Sequence, residues 1–133
     1  MIKKQFIYIV DDDNDDREIL RDAFLTGHPD FEYILLENGD QLLEHLIRHI
    51  ETAPPGLILL DLNMPGKDGR ETLKELKSDK RYCHIPILIF TTSSSPRDRR
   101  LAYEFGANCF ISKPDTFNKL VEFASCVSKL WLP

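Results

Sequence analysis

Residues 6–16 read FIYIVDDDNDD. Five consecutive apolar side chains, Phe6 to Val10, run straight into a block in which five of six positions are aspartate. A continuously apolar run, as opposed to an alternating one, belongs to a strand covered on both faces. Like charges crowded at the tip of such a strand repel one another, so a cation or a reaction has to compensate them.

Four further apolar runs follow: Tyr33–Leu36, Leu57–Leu60, Ile87–Phe90 and Cys109–Ile111. Between them the spacing turns helical. Ile19, Leu20, Ala23 and Phe24 form one stripe, and Leu42, Leu43, Leu46, Ile47 and Ile50 a second. Leu73 with Leu76, then Leu101, Ala102 and Phe105, then Phe117, Leu120, Val121, Ala124, Val127 and Trp131 complete the series. Gly27 with Pro29 ends the first helix, and Pro54–Pro55–Gly56 the second. Ser95, Pro96 and Asp98 read as an N-cap, a first-turn proline and the acid of a capping box. Five strand–helix units predict an α/β fold, a parallel sheet with helices on both faces.

The length of 133 residues fits one domain, expected over 1–133, with a helix from Thr116 to Trp131 close to its end. The five aspartates of residues 11–16 account for the whole net charge of −5. A nucleic-acid surface needs a basic stripe, so nucleic acid is not an expected partner. Three cysteines, Cys83, Cys109 and Cys126, with no pairing motif, predict free, inert, buried or half-buried thiols in a reducing cytoplasm. Phe6–Val10 is too short for a signal-peptide core, although Lys3 and Lys4 precede it. No segment approaches the ~18 apolar residues of a membrane span.

In an open parallel sheet, ligands bind beyond the carboxyl ends of the strands. The first strand ends in Asp11 and Asp12, the third in Asp61, and the fourth in Thr91 and Thr92; Lys113 follows the fifth. Three carboxylates, a hydroxyl and an ammonium therefore converge. A hard divalent cation suits the oxygens, and Mg²⁺ is the expected cofactor, with Mn²⁺ as the substitute. Asp61 is then placed to act as a nucleophile that forms an acyl phosphate. Mg²⁺, Lys113 and the Thr91 hydroxyl supply the positioning and charge neutralisation that phosphoryl transfer needs. Gly66 and Gly69 shape the turn that closes the site. Asp13, Asp15 and Asp16 are credited to capping and the helix dipole.

The stretches VDDD at 10–13, LLDLNMPGKDG at 59–69, IFTTS at 89–93 and SKP at 112–114, in this order and each at a strand end, resemble the receiver domain of two-component response regulators. The resemblance covers the whole chain. It implies a flavodoxin-like, doubly wound (βα)5 fold with strand order 2-1-3-4-5. It implies that Asp61 is phosphorylated by a sensor histidine kinase or a phosphotransfer protein. By the same resemblance Asp12 is the principal acidic metal ligand, Asp11 assists, and the Asn63 backbone carbonyl joins Asp61 in the set. Thr91 is the switch hydroxyl, Lys113 pairs with the phosphoryl group, and the Lys113–Pro114 bond is cis. Phe110 takes the place of the family's switch aromatic, often a tyrosine, and has only ring packing to offer. Asp115 stands where many members carry an aromatic. YEFGANCFISKP and the terminal LWL are similar to stand-alone regulators partnered with phytochrome-type kinases.

The implied protein is a switch with no output domain of its own. It signals by docking the surface of its last two helices, and the strand between them, onto a downstream protein, or it is an intermediate carrier in a phosphorelay; a homodimer through those helices is a further expected partner. A metal-dependent phosphohydrolase with Asp61 as nucleophile is the enzymatic alternative. It needs a general acid two residues on, where Asn63 stands, and a covering element. A flavin carrier of this fold needs a phosphate cradle after the first strand, where the aspartates stand. His45 and His49, spaced i, i+4, read as a solvated helix face, as do Arg97, Arg99 and Arg100. Phe123, Cys126 and Leu130 read as the edge of a broad core face, with Tyr103 beside them on a candidate output surface.

Overall fold

In the central strand, neighbouring side chains go to opposite cores, which is why its sequence does not alternate. Tyr8 and Val10 enter one buried cluster, and Ile7 and Ile9 the other. The computed structural model describes residues 4–132; residues 1–3 and 133 of the expected 1–133 domain lie outside the described residues. Along the chain come β1 (Phe6–Val10), α1 (Asn14–Gly27), β2 (Glu32–Leu36), α2 (Gly39–His49) and β3 (Pro55–Leu60). Then follow α3 (Gly69–Ser78), β4 (Ile87–Thr91), α4 (Pro96–Glu104), β5 (Cys109–Ser112) and α5 (Phe117–Trp131). The strands form one parallel sheet in the order β2-β1-β3-β4-β5. This is the flavodoxin-like arrangement expected from the sequence.

The alternation of β1 repeats in β3 and β4. Ile58, Leu60, Ile87 and Ile89 pack with Leu42, Leu46, Leu73, Leu76 and Ala102 of α2, α3 and α4. Leu57, Leu59, Leu88 and Phe90 pack with Leu20, Ala23 and Phe24 of α1 and Leu120, Ala124 and Val127 of α5. Each fully buried aliphatic or aromatic side chain is worth about 1.5–3 kcal/mol, so these two layers hold the sheet rigid. The strand tips inherit that rigidity.

Every helix begins with a side-chain cap: Asp13 on α1, Asn38 on α2, Asp68 on α3, Ser95 on α4 and Thr116 on α5. Each accepts from the backbone N–H three residues on, satisfying a donor that the helix itself cannot. At α4 only half of the expected capping box forms. Ser95 Oγ accepts from the Asp98 N–H, but the Asp98 carboxylate turns outward to Arg70 and Ser93, where a cation offers more than the Ser95 N–H.

Several surface expectations need correction. His45 is not on a solvated face. It is half buried, its ring standing edge-on to Tyr8 with centroids 5.2 Å apart, because three residues after Leu42 the helix turns it over β1. Burial, and then the neighbouring His49, lower its pKa. Of the α5 flank, Phe123 joins the core against Phe24 and Phe90, but Cys126 and Leu130 lie on the outer side of the helix and stay exposed. Cys83, on the turn after α3, is exposed as well, so two of the thiols meet solvent.

Candidate functional site

The ladder hydrogen bonds that end β1 and β3 set the acidic residues side by side. The Asp11 N–H donates to Leu36 O and the Asp61 N–H donates to Val10 O, which fixes both backbones one residue beyond the sheet. Both side chains are nearly covered, with Asp11 5% and Asp61 7% exposed. Asp12 is exposed at the rim. One oxygen from each of Asp11, Asp12 and Asp61 lies within 4.8 Å of the others. The sequence-predicted acids thus meet, and an all-oxygen set of this kind fits a hard divalent cation.

Lys113 completes the group from the far side of the sheet. Its backbone N–H donates to Thr91 O at 2.7 Å, extending the β4–β5 ladder by one residue and aiming the side chain back across the strand ends. Its Nζ lies 2.6 Å from Asp11 Oδ2, 3.0 Å from Asp16 Oδ2 and 3.4 Å from Asp61 Oδ2. Burial pulls the Lys113 pKa down, but the hydrogen bond it donates to Asp11 and the charge of Asp61 outweigh it, and the net shift is upward. Burial also dominates at Asp11 and raises its pKa against the pull of Lys113. Asp61 Oδ1 is buried and has no hydrogen-bond partner. Asp61 therefore has one oxygen held by an ammonium and the other open to reaction or to a metal.

The loop after β3 is held close beneath this carboxylate. The Gly69 N–H donates to Leu62 O, and a Cβ on Gly69 would stand 2.1 Å from Asp61 O, so only glycine fits. Gly66, at φ 75, takes the left-handed turn on the way. Leu62 and Met64 are buried and anchor the loop, leaving Asn63 exposed between them. Thr91 is fully buried, and its Oγ1 accepts from the Ser93 N–H at 3.3 Å. Phe110 points inward at 4% exposure, paired across the ladder with Ile89. Its N–H donates to the Tyr103 hydroxyl, and the Arg99 guanidinium sits 5.7 Å from its ring centroid. Arg97, Arg99 and Arg100 are exposed, as the sequence predicts, and Arg99 in addition lies over the Phe110 ring.

Two residues at this site differ from the sequence reading. Asp16 lies in the first turn of α1, where the helix dipole favours it, but its carboxylate also reaches Lys113, and the capping itself falls to Asp13. The first turn of α1 folds Asp16 back over the strand ends, which a helical reading of the DDDNDD block would have shown. Arg17 is buried, donating to Asp11 O at 2.5 Å and to Asn14 Oδ1 at 2.9 Å; nothing in its sequence neighbourhood marked it. The expected cis bond is a further correction. Lys113–Pro114 is trans, the isomer that X–Pro bonds favour by about 0.5–1 kcal/mol.

Residues 7–125 match the family described as response regulator receiver domain. Response regulator Rcp1 of Synechocystis sp. is 34% identical over 129 residues, covering 95% of this chain and 88% of that protein. The crystal structure of the phosphorylated cyanobacterial phytochrome response regulator RcpA superposes with a TM-score of 0.89 at 30% identity, covering 98% of this chain and 95% of that one. The Mn²⁺-bound form of response regulator Rcp1 gives 0.83 at 34% identity, covering 96% and 94%.

Proposed function

The chain belongs to the response regulator receiver domain family, and from that premise we propose that Asp61 is its phosphoacceptor. The chain is a phosphorylation-dependent switch of two-component signalling, as its relatives are. Receiver domains take their phosphoryl group from histidine kinases or phosphotransfer proteins and bind a divalent metal. The observation that carries the Asp61 reading is its open Oδ1, buried beside Asp11 and Asp12, with Lys113 on the other oxygen.

A carboxylate oxygen of Asp61 attacks the phosphorus of a phosphohistidine. The phosphorus–nitrogen bond breaks, and the imidazole leaves with the electron pair and takes a proton from water. Lys113 exchanges a carboxylate partner for a phosphoryl oxygen, the Thr91 hydroxyl donates to another, and Phe110 repacks. Asp11, Asp12, Asp61 and the main-chain carbonyl of Asn63 would hold the metal, Mg²⁺ or Mn²⁺. When bound, this ion neutralises charge on the phosphoryl oxygens.

The new charge biases the α4–β5–α5 surface, where Tyr103 and Leu130 are exposed at 46% and 75%. That surface docks a downstream protein or a second copy of the chain. The likeness to Rcp1 and RcpA supports a phytochrome-type histidine kinase as the donor. The protein works in the cytoplasm as a single receiver unit over 1–133. Among the described residues no helix is long and apolar enough to cross a membrane. Receiver domains are in general switches and not enzymes, and nothing supports the phosphohydrolase reading.

Incubation with acetyl phosphate and Mg²⁺ tests the proposal. The wild type should gain an acid-stable, base-labile phosphate, and Asp61→Asn should gain none. Equal labelling of the two proteins would refute the assignment.

A further inference from the structure

Beyond the strand-end acids lies a second polar cluster, at the start of α4, that the phosphoryl chemistry does not use. Arg70 Nη2 donates to Asp98 Oδ1 at 2.8 Å, and the Ser93 hydroxyl donates to Asp98 Oδ2 at 2.7 Å. The Ser95 N–H donates to Ser93 Oγ, and the Asp98 N–H to Ser95 Oγ. The Ser93 N–H in turn donates to Thr91 Oγ1, and Ser93 O accepts from Ser112 Oγ on β5. The Arg70 and Asp98 side chains are 29% and 20% exposed, shielded enough for the pair to hold a geometry. Arg70, and then Ser93, keep the Asp98 carboxyl below the usual carboxylate range.

The two ends of this chain of bonds matter. Arg70 directly follows Gly69, whose backbone packs against Asp61 O, so the guanidinium is positioned by the same turn that positions the phosphoacceptor. At the other end is the buried hydroxyl of Thr91. The cluster therefore ties the start of α3 to the loop after β4 through the Arg70, Asp98 and Ser93 side chains, and reaches Thr91 through the Ser93 N–H.

We propose that Arg70, Asp98 and Ser93 form a clasp that holds the β4–α4 loop, and through the Ser93 N–H the Thr91 hydroxyl, in the arrangement seen here, and that the clasp opens when the switch is activated. This rests on the reading of Asp61 as phosphoacceptor. Arg70 and Asp98 are positioning residues: they touch neither Asp61 nor a phosphoryl group but set how often Thr91 is free to meet one. In a two-state switch, weakening a contact made in only one state raises the population of the other. Opening the clasp should therefore speed phosphorylation by a small phosphodonor, whose rate follows the competent fraction.

The experiment measures acetyl phosphate labelling rates with Mg²⁺ for wild type, Arg70→Ala, Asp98→Asn, the double variant and Arg70→Lys, with a urea melt of each. Each single neutralising variant should label at least threefold faster. The double variant should be no faster than the quicker single, and Arg70→Lys should return toward the wild-type rate. The Ser93 amide and Thr91 methyl NMR signals should shift in Arg70→Ala without any phosphodonor, which a merely structural surface pair would not produce. Labelling rates within twofold of wild type, with only the melts changed, would overturn the clasp, and so would additive effects. If wild type itself fails to label, the phosphoacceptor reading falls and the clasp falls with it. Wild type and variants labelling alike sinks the clasp alone.

Discussion

The ends of β1, β3 and β5 and the start of α4 are both rich in charge, and they resolve it in opposite ways. At the strand ends a single ammonium, Lys113, serves Asp11, Asp16 and Asp61 together, and Asp61 Oδ1 has no partner at all. At α4 the Asp98 carboxylate is fully answered, and Arg70 also reaches Asp68 at 3.6 Å. Both Asp98 oxygens are taken, one by Arg70 and one by Ser93. The first region is under-compensated, as the proposed metal and phosphoryl site would require. The second is satisfied, and satisfied polar networks hold geometry. The same contrast shows in the carboxyls, with burial raising the Asp11 pKa and Arg70 lowering that of Asp98.

The sharpest way to break this contrast is to remove the ammonium that the first region's carboxylates share. Lys113→Ala leaves the buried Asp11 and Asp61 carboxylates without that counter-charge, so chemical denaturation should show a loss of about 3 kcal/mol. Next comes the compensating ion. Mg²⁺ at ten times its dissociation constant should stabilise the wild type by about 1.4 kcal/mol, measured as a rise in melting temperature that a chelator reverses. Asp12→Asn should abolish most of that rise. Without metal, the same substitution should itself stabilise the fold by up to about 1 kcal/mol, because it removes repulsion from Asp11 and Asp61; molar salt should shrink the gain.

Neutralising an acid of the second region should do the reverse. Asp98→Asn should destabilise, by less than about 1 kcal/mol because the pair is partly exposed. Its pH dependence follows from the sign of the shift. Asp98 titrates lower in the fold than its ordinary 3.8, so its contribution is present above that value and is lost as pH falls through the folded one. Urea melts of wild type and Asp98→Asn should therefore differ at neutral pH and converge in acid.

The layering was legible because runs such as Phe6–Val10 and Ile87–Phe90 encode burial on two faces with no tertiary information. The strand-end acids were legible because topology alone brings strand tips together. What escaped was side-chain direction. Asp98 has the spacing of a capping-box acid, and only the distance to α3 shows that it prefers Arg70. His45 lies one residue outside an apolar stripe, and only the position of Tyr8 shows that it is half buried. Asp16 and Arg17 were hidden in a block whose composition already had an explanation. For Asp98, His45 and Asp16 the deciding partner lies in another element.

The central claim is that Asp61 takes the phosphoryl group, and borohydride trapping tests it most directly. Borohydride reduces an aspartyl phosphate to homoserine, and residues 49–67 form a tryptic peptide in which Asp61 is the single aspartate. After treatment with acetyl phosphate and Mg²⁺, mass spectrometry should find homoserine at position 61 and at no other aspartate. Homoserine at Asp11 or Asp12, or an unchanged peptide 49–67 from protein that carries base-labile phosphate, would contradict the account.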